Sequence, residues 1–273
     1  MASISIDLPD KLRVRGAGHV GLKDSTANHT HGWNEEAARA ETRRLANELG
    51  ELQFKLYADR RHGVLVVLQA IDGGGKDGTI RHVFSAFNPQ GCTVRAFKAP
   101  SAEELAHDYL WRVHAHVPPR GEIGVFNRSH YEDVLIARVD SLVPRAVWQA
   151  RYRHINEFER MLTESGVTIL KFFLHISKEE QKQRFQARIQ DSARNWKLSL
   201  PDFEERQHWE AYTEAYQDAI RKCSTAWAPW YVIPSDRKWC RNHMIAKLTV
   251  AALDSMKLKY PPPSVDVSKV TLE

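Results

Sequence analysis

The apolar residues of this chain follow two different periodicities. Between Asn34 and about Arg61, leucines recur every three or four residues, which predicts an amphipathic helix. The next segment, Val64–Leu68, is a continuous run of five apolar residues, most of them β-branched. Such a run is typical of a strand that is buried on both faces of a parallel sheet. The first hundred residues therefore predict a helix packed against an inner strand.

The same alternation of strand and helix patterns continues to the C-terminal region. Further strands are predicted at Cys92–Phe97, Ile123–Asn127, Val167–Ile176 and Trp230–Ile233. Helices are predicted at residues 76–87, 101–117, 145–165, 178–191, 201–222 and 239–256, two of them with capping boxes, Ser101/Glu104 and Ser177/Glu180. Strands that alternate with helices form a parallel sheet covered on both faces. We therefore expect an α/β fold with five parallel strands between two helical layers.

One domain is expected over residues 1–273, because the chain shows no internal repeat and no clear linker. Residues 1–33 contain several glycines and are predicted to form an irregular N-terminal arm. The polar and basic segment at about 178–208 is a candidate lid, and the proline-rich residues 259–273 are predicted to form an extended tail.

Composition narrows the class of partner. The formal net charge is +5 and the pI is about 9.1, which suits an anionic partner such as a nucleotide, polyphosphate or nucleic acid. No apolar stretch reaches the roughly 18 residues of a membrane span. The three cysteines are far apart and odd in number, which argues against a disulfide framework. We expect a cytosolic protein that does not bind a membrane.

The glycine-rich segment Gly73–Lys76 follows the first strand and precedes a predicted helix. Glycines let backbone N–H groups approach phosphate oxygens closely, and a lysine at this place can reach a bridging or terminal phosphate. A glycine turn with a solvated lysine is the alternative. The segment departs from the Walker A pattern, because Ala70 replaces its first glycine and Asp77 its Ser/Thr. Asp72 offers a carboxylate to Mg²⁺ instead, unless it is only a turn residue.

A second polar segment, Asn127–Asp133, follows the third predicted strand, where α/β proteins place their ligands. Arg128 is a candidate phosphate clamp. Glu132 and Asp133 are suited to metal binding or to positioning an acceptor phosphate. Acidic residues are also common in the first turn of a helix, where they need no function.

The candidate lid carries a basic run. Arg184 and Arg188 are four residues apart and therefore share one helical face. Such a face can close over phosphates, although a solvated helix would show the same spacing.

Together these segments resemble the polyphosphate kinase 2 family of P-loop kinases, from about Leu45 to Lys247. Four separated motifs in the expected order carry the resemblance: Val66–Ile80, Phe126–Asp133, Asn195–Ser199 and Ala228–Trp230. The resemblance implies a three-layer α/β/α fold with a helical lid, and phosphorylation of nucleotides with inorganic polyphosphate as donor. It also implies a homo-oligomer, a dimer or tetramer. We expect no nucleic-acid partner.

The resemblance assigns roles to individual residues. It implies that Asp72 binds Mg²⁺, with Mn²⁺ able to substitute, and that Lys76 contacts the phosphates. Asp133 is a second candidate metal ligand, because Asn127 stands where many members carry an aspartate. Asn127, Glu132 and Asp133 are the candidate nucleotide-binding residues. The predicted phosphate and polyphosphate ligands are Gly73, Gly74, Gly75, Lys76, Asp77, Gly78, Thr79, Arg81, Arg128, Arg138, Arg184, Arg188 and Lys197.

The Asn127-Arg128-Ser129 variant resembles the class III branch of the family, which phosphorylates both AMP and ADP. Two rival functions remain open on the residues alone. One is a nucleoside monophosphate kinase that takes ATP as donor. The other is a polyanion- or RNA-binding protein without activity, although no aromatic RNA-stacking motif supports it.

Overall fold

The structure is a computed structural model that describes residues 8–16 and 20–271. Five strands form one parallel sheet in the order β2-β3-β1-β4-β5. Each of the five predicted strands is present within one or two residues of its predicted bounds. The strands are β1 (Gly63–Gln69), β2 (Cys92–Ala96), β3 (Ile123–Asn127), β4 (Val167–His175) and β5 (Trp230–Pro234).

Helices cover both faces of this sheet. In chain order they are α1 (Leu8–Leu12), α2 (Asp24–Ala27), α3 (Glu35–Asp59), α4 (Lys76–His82), α5 (Ala102–Leu105), α6 (Trp111–His114), α7 (Ile136–Val139), α8 (Arg145–Glu164), α9 (Lys178–Gln190), α10 (Leu200–Gln207), α11 (Trp209–Cys223) and α12 (Lys238–Ser255). Among the described residues, none of these helices combines the length and apolar character that a membrane crossing requires.

Two apolar cores lie on opposite faces of the sheet, as the alternation of side chains along a strand requires. On β1, Leu65 and Val67 point into the core shared with α8 and α11. Val64, Val66 and Leu68 point into the core shared with α3 and α12. The three-layer α/β/α architecture is therefore confirmed.

The predicted helix over residues 101–117 is wrong. Its capping box at Ser101 and Glu104 is present, but α5 ends at Leu105 and α6 begins only at Trp111. The side chain of Asp108 accepts a hydrogen bond from the N–H of Leu110, at 3.0 Å. This local bond offers the backbone an alternative to helix, which explains the interruption.

Three other boundaries also differ. The predicted helix over 201–222 is divided at His208 into α10 and α11, and the one over 76–87 ends as an α-helix at His82. The arm predicted as irregular contains α1 and α2, and Arg13 forms a β-bridge with Tyr231. The parts of that arm before residue 8 and at 17–19 lie outside the described residues. From residue 259 to 271 the tail contains only a 3-10 turn at Val267–Lys269.

Candidate active site

Two polar loops meet at the carboxyl edge of the sheet. The loop Ile71–Gly75, the phosphate loop, follows β1, and the segment Arg128–Asp133 follows β3. β1 pairs with β3 on one side and with β4 on the other. The connection after β1 runs past β3 to β2, whereas the connection after β3 runs the other way, across β1 to β4. Such switch points form the ligand crevices of open α/β sheets. The topology thus brings together the two motifs that the sequence singled out separately.

The phosphate loop turns tightly at its glycines. Gly73 and Gly75 have φ angles of 84° and 105°, in the region that glycine adopts most readily. This turn leads directly into α4, whose first residue, Lys76, is buried. Its ammonium group donates to the carbonyl oxygen of Ala70 at 2.8 Å and lies 3.2 Å from Asp72 Oδ1. The glycine-turn alternative required a solvated lysine, but Lys76 is held inside the loop.

Asp72 lies at the centre of the charges. Its Oδ2 accepts a hydrogen bond of 2.6 Å from Arg128, and its Oδ1 faces Lys76. Burial favours the neutral acid, but the two cations outweigh it and hold the pKa of Asp72 well below its usual range. Asp72 is therefore an ionised carboxylate that links the two loops.

Arg128 occupies a conformation that is uncommon outside glycine, with a φ of 62°. Its N–H donates to the carbonyl oxygen of Leu68 at 3.1 Å, which continues the sheet pairing beyond β3. Its guanidinium group reaches Asp72 and lies 3.7 Å from Glu132. Glu132 also accepts a hydrogen bond from Gln69 at 3.0 Å. The turn at Arg128 thus directs its side chain and that of Glu132 towards the phosphate loop.

Asn127 contacts the first turn of α4. Its side-chain amide donates to Asp77 at 2.9 Å, and Lys197 approaches the other oxygen of Asp77 at 3.1 Å. An aspartate at position 127 would face Asp77 with a second negative charge. The asparagine therefore suits this chain, which carries Asp77 where Walker A loops have a hydroxyl.

Asp133 forms its hydrogen bonds with Arg151 and not with the charged groups around Asp72. Arg151 donates to its backbone oxygen at 2.9 Å and to Oδ1 at 3.1 Å. Burial raises the pKa of Asp133 to about 6. Within the described residues, no group of three or more His, Cys, Asp or Glu side chains is placed to hold a metal ion. The metal role predicted for Asp133 stays a prediction.

The remaining predicted phosphate ligands occupy different surroundings. Gly74, Gly78 and Thr79 lie in the loop and the first turns of α4. Arg81 is exposed on α4, and Arg188 lies half-buried on α9. Arg138 is engaged with two acids of α11, Glu214 and Asp218. Arg184 is buried and bonded to protein groups. Direct phosphate contacts for these residues stay predictions.

Three residues beside the site escaped the sequence reasoning. Gln181 on α9 donates to the backbone oxygen of Asp72 at 2.6 Å. Glu205 on α10 hydrogen-bonds with the Asp72 carboxylate; burial and the charge of Asp72 raise the pKa of Glu205 to about 8. Arg241 on α12 is buried behind Gly75 and Gly78. Periodicity marks such positions only as helical, so only the packing of α9, α10 and α12 identifies them.

Comparisons with known proteins identify the relatives of this chain. The family model described as Polyphosphate kinase 2 (PPK2) matches residues 32–261. The AMP/ADP-polyphosphate phosphotransferase of Meiothermus ruber is 51% identical over 265 residues, which are 96% of this chain and 99% of that protein. The ADP-polyphosphate phosphotransferase of Rhodopseudomonas palustris is 47% identical over 231 residues, 80% of each chain.

A solved structure is similar over nearly the whole chain. The crystal structure of polyphosphate kinase 2 from Arthrobacter aurescens TC1 superposes with a TM-score of 0.91 at 41% identity, and the match covers 96% of this chain and 94% of that one. The family model, the relatives and the fold therefore all indicate the same family. The chain belongs to the polyphosphate kinase 2 family.

Proposed function

We propose that this protein transfers phosphoryl groups from inorganic polyphosphate to AMP and ADP, forming ADP and ATP. The observation that carries this function is the junction of the two loops: Asp72 of the phosphate loop joins Lys76 at the start of α4 to Arg128. Arg128 begins the segment Arg128–Asp133, which we call the acceptor-side segment because it contains Glu132. The relative from Meiothermus ruber, which bears the name of this activity, matches almost the full length of the chain. Other nucleoside mono- and diphosphates are further candidate acceptors.

Two cations of the site neutralise the phosphates in this proposal. Both Lys76 and Arg128 are paired with Asp72 in the structure. Bound phosphates compete for the same two cations. Phosphoryl transfer depends mainly on alignment and charge stabilisation, and buried or half-buried cations supply both. Lys76 then stabilises the transferring group, while Arg128 holds the donor chain.

Mg²⁺ fits this site as a partner of phosphate. Magnesium usually binds through one or two carboxylates together with substrate phosphates and water, and Asp72 offers one ionised carboxylate. Held by Asp72, the ion would neutralise the charge of the bound phosphates. Asp72→Asn is expected to raise the Mg²⁺ concentration needed for half-maximal activity by about tenfold or more. Full activity with an unchanged Mg²⁺ dependence would contradict this role.

The transfer is direct and in line in this proposal. A nucleotide phosphate oxygen is already ionised near neutral pH, so the acceptor needs no strong general base. Glu132 lies beside Arg128 and Gln69, and in this proposal it orients the acceptor phosphate. A phosphoenzyme trapped by rapid quenching would contradict direct transfer.

Assembly and location belong to the same proposal. We infer a homo-oligomer, a dimer or tetramer, in the cytoplasm. Cys92, Cys223 and Cys240 are free cysteines, which fits a reducing compartment. Sedimentation of the purified protein would decide the oligomeric state.

One incubation tests the function. The protein, long-chain polyphosphate, Mg²⁺ and AMP are mixed, and ADP and ATP are followed over time. We expect ADP to appear first and ATP to follow, with Lys76→Met reducing the rate by about 100-fold or more. A protein that phosphorylates AMP only with ATP as donor would instead be a nucleoside monophosphate kinase.

A further inference from the structure

Two arginines lie on the inner side of the phosphate loop. Arg184 comes from α9 and Arg241 from α12, and both are at least nine-tenths buried. Both guanidinium groups border the α-carbon of Gly75. A β-carbon there would overlap Arg241 and would lie 3.5 Å from Arg184 Nη1. The glycine at position 75 therefore makes room for a pair of guanidinium groups.

Arg184 has no N–H donor to spare. A guanidinium group carries five donors, and the structure shows five hydrogen bonds from this one. Nε donates to Glu180, Nη1 to the carbonyl oxygens of Gly73 and Gly74, and Nη2 to those of Ser235 and Asp236, at 2.6–3.2 Å. A direct bond to phosphate would require Arg184 to give up one of these contacts.

The bonds from Arg184 orient the peptide groups of the loop. In a planar trans peptide, the C=O and N–H groups point in opposite directions. The carbonyl group of Gly73 shares its peptide unit with the N–H of Gly74. This N–H donates to the carbonyl oxygen of Ile71 at 2.9 Å and closes the turn. The carbonyl group of Gly74 shares its peptide unit with the N–H of Gly75. This N–H donates to no acceptor in the described part of the chain. Arg184 thus fixes both the turn and the direction of a free donor.

Arg241 is a buried cation without an acidic partner in the described chain. It is 2% exposed, and its hydrogen bonds go to the neutral side chain of Asn242, at 2.8 and 3.1 Å. Its Nη2 would lie 3.1 Å from a β-carbon at Gly78. Burial, and then the charge of Arg184, lower the pKa of Arg241 to about 9. A buried charge of this kind is costly unless an opposite charge compensates it.

We infer that Arg184 and Arg241 are positioning residues of the phosphate loop with separate tasks. Arg184 directs the N–H of Gly75 towards the bound phosphate through the carbonyl of Gly74. Arg241 supplies a buried positive charge that no acid of the described chain pairs with and that an anionic ligand in the loop compensates. This inference rests on the proposed function, and it replaces the direct contact expected of Arg184 with an action through the backbone.

Four variants separate the two tasks: Arg184→Met, Arg184→Lys, Arg241→Met and Arg241→Lys. Arg43→Met is the matched control, because Arg43 is an exposed arginine on α3. Amide hydrogen exchange of residues 71–78 in the ligand-free protein reports the order of the loop. Calorimetry with tripolyphosphate reports anion binding, and steady-state kinetics report kcat and the KM for polyphosphate.

The task of Arg184 depends on its forked geometry. We expect both Arg184 variants to speed exchange of residues 71–78 by about tenfold, since each loses charge-assisted hydrogen bonds to the loop. Their kcat should fall more than their KM for polyphosphate rises. If Arg184→Met does not fold, Arg184→Lys decides the question by the same measurements. Unchanged exchange together with a raised KM alone would show a direct phosphate ligand and overturn this part.

The task of Arg241 depends on its charge. Arg241→Met should weaken tripolyphosphate binding by about tenfold, while Arg241→Lys, which keeps the charge, should bind within about threefold of the original protein. Equal binding by Arg241→Met and Arg43→Met would overturn this part. Exchange and tripolyphosphate binding need no turnover. A protein without polyphosphate-dependent activity would therefore refute the proposed function and leave these two results to be judged separately.

Discussion

At the scale of single residues, Asp72 is the organising group. It accepts from Arg128 at 2.6 Å, faces Lys76 at 3.2 Å and bonds with Glu205. A single carboxylate therefore connects the loop after β1, the segment after β3 and α10 of the candidate lid. Two of its partners, Lys76 and Arg128, are the proposed phosphate ligands, and they are arranged around this negative charge.

The acceptor side of the site gives a residue-level prediction. Glu132 is held by Gln69 and Arg128, so its carboxylate has a fixed direction. Glu132→Ala should reduce kcat/KM for AMP by about tenfold or more and reduce that for ADP much less, because in the proposed function this side chain orients the shorter acceptor. Initial rates with each nucleotide at saturating polyphosphate measure this ratio.

Glu132→Gln is the matched variant, since it keeps the size and the hydrogen-bonding capacity of the side chain. It should lie between the original protein and Glu132→Ala in its selectivity. Equal losses with AMP and ADP would show that Glu132 stabilises the site in general rather than orienting the monophosphate.

At the scale of elements, the candidate lid is docked on the phosphate loop. Gln181 bonds to the backbone of Asp72, and Arg206 of α10 donates to Gln181 at 2.7 Å. The rings of Phe185 and Phe203 pack at 5.6 Å between α9 and α10. These contacts connect α10 to the phosphate loop through α9. A displacement of α10 would therefore also displace Asp72.

The lid contact at Glu205 predicts a pH dependence. The pKa of Glu205 is raised from 4.5 to about 8 by burial and by Asp72. A carboxyl group that binds its proton more tightly when folded adds stability that is complete below pH 4.5 and is lost as pH rises to 8. Between pH 5 and pH 8, the free energy of unfolding should therefore fall in the original protein relative to Glu205→Gln, whose amide does not titrate.

Urea unfolding at several pH values in that window measures the difference. Glu204→Gln is the control, because Glu204 is the exposed neighbour on the same helix. If Glu205→Gln and the original protein changed in parallel with pH, the proton would not lie on Glu205 in the docked lid.

A buried polar network in the core supports the acceptor-side segment, Arg128–Asp133. Lys171 of β4 lies 2.5 Å from Glu159 of α8, and both side chains are fully buried. Tyr131 donates to Glu159 at 2.9 Å, and Lys171 donates to the carbonyl oxygen of Cys223 at 2.7 Å. The network anchors Tyr131, whose next neighbour in the chain is Glu132. It therefore links the sheet to the site through the core.

Breaking one half of this pair should be costly. Lys171→Met is expected to lower the free energy of unfolding by about 3–5 kcal/mol, because it leaves Glu159 buried without its counter-charge. The double variant Lys171→Met/Glu159→Leu should recover more than half of that loss, since no buried charge remains. Urea denaturation of the three proteins measures both values. A double variant as unstable as the single one would show that the hydrogen bonds, not the charges, stabilise this region.

At the scale of the whole molecule, the net charge of +5 favours binding of the polyphosphate donor more than binding of the nucleotide acceptor. A polyphosphate chain carries many charges and AMP carries few, so screening by salt acts mainly on polyphosphate. Raising NaCl from 50 to 300 mM should increase the KM for long-chain polyphosphate by roughly fivefold, and the KM for AMP by less than about twofold. Steady-state rates at each salt concentration test this, and equal shifts of both constants would argue against an electrostatic donor channel.

The sequence alone determined the fold class and the places of the two loops. A strand that is buried on both faces must be apolar on both faces, so β1 stands out as a continuous apolar run. Glycines and a lysine after such a strand mark phosphate chemistry, because the backbone needs those residues to turn and to approach an anion. The family resemblance follows from the same local segments. These features depend on neighbouring residues, which is why they can be recognised without a structure.

Tertiary structure alone decided which charges meet. Asp72 and Arg128 are 56 positions apart, and only the order of the strands brings them to one edge. Arg184 seemed a free lid residue because helical spacing cannot show that carbonyl oxygens of distant loops occupy its donors. Glu205 and Arg241 lie in polar or mixed helices without any local mark. Burial and pairing are properties of packing, so the roles of these residues follow from the fold and not from their position in the chain.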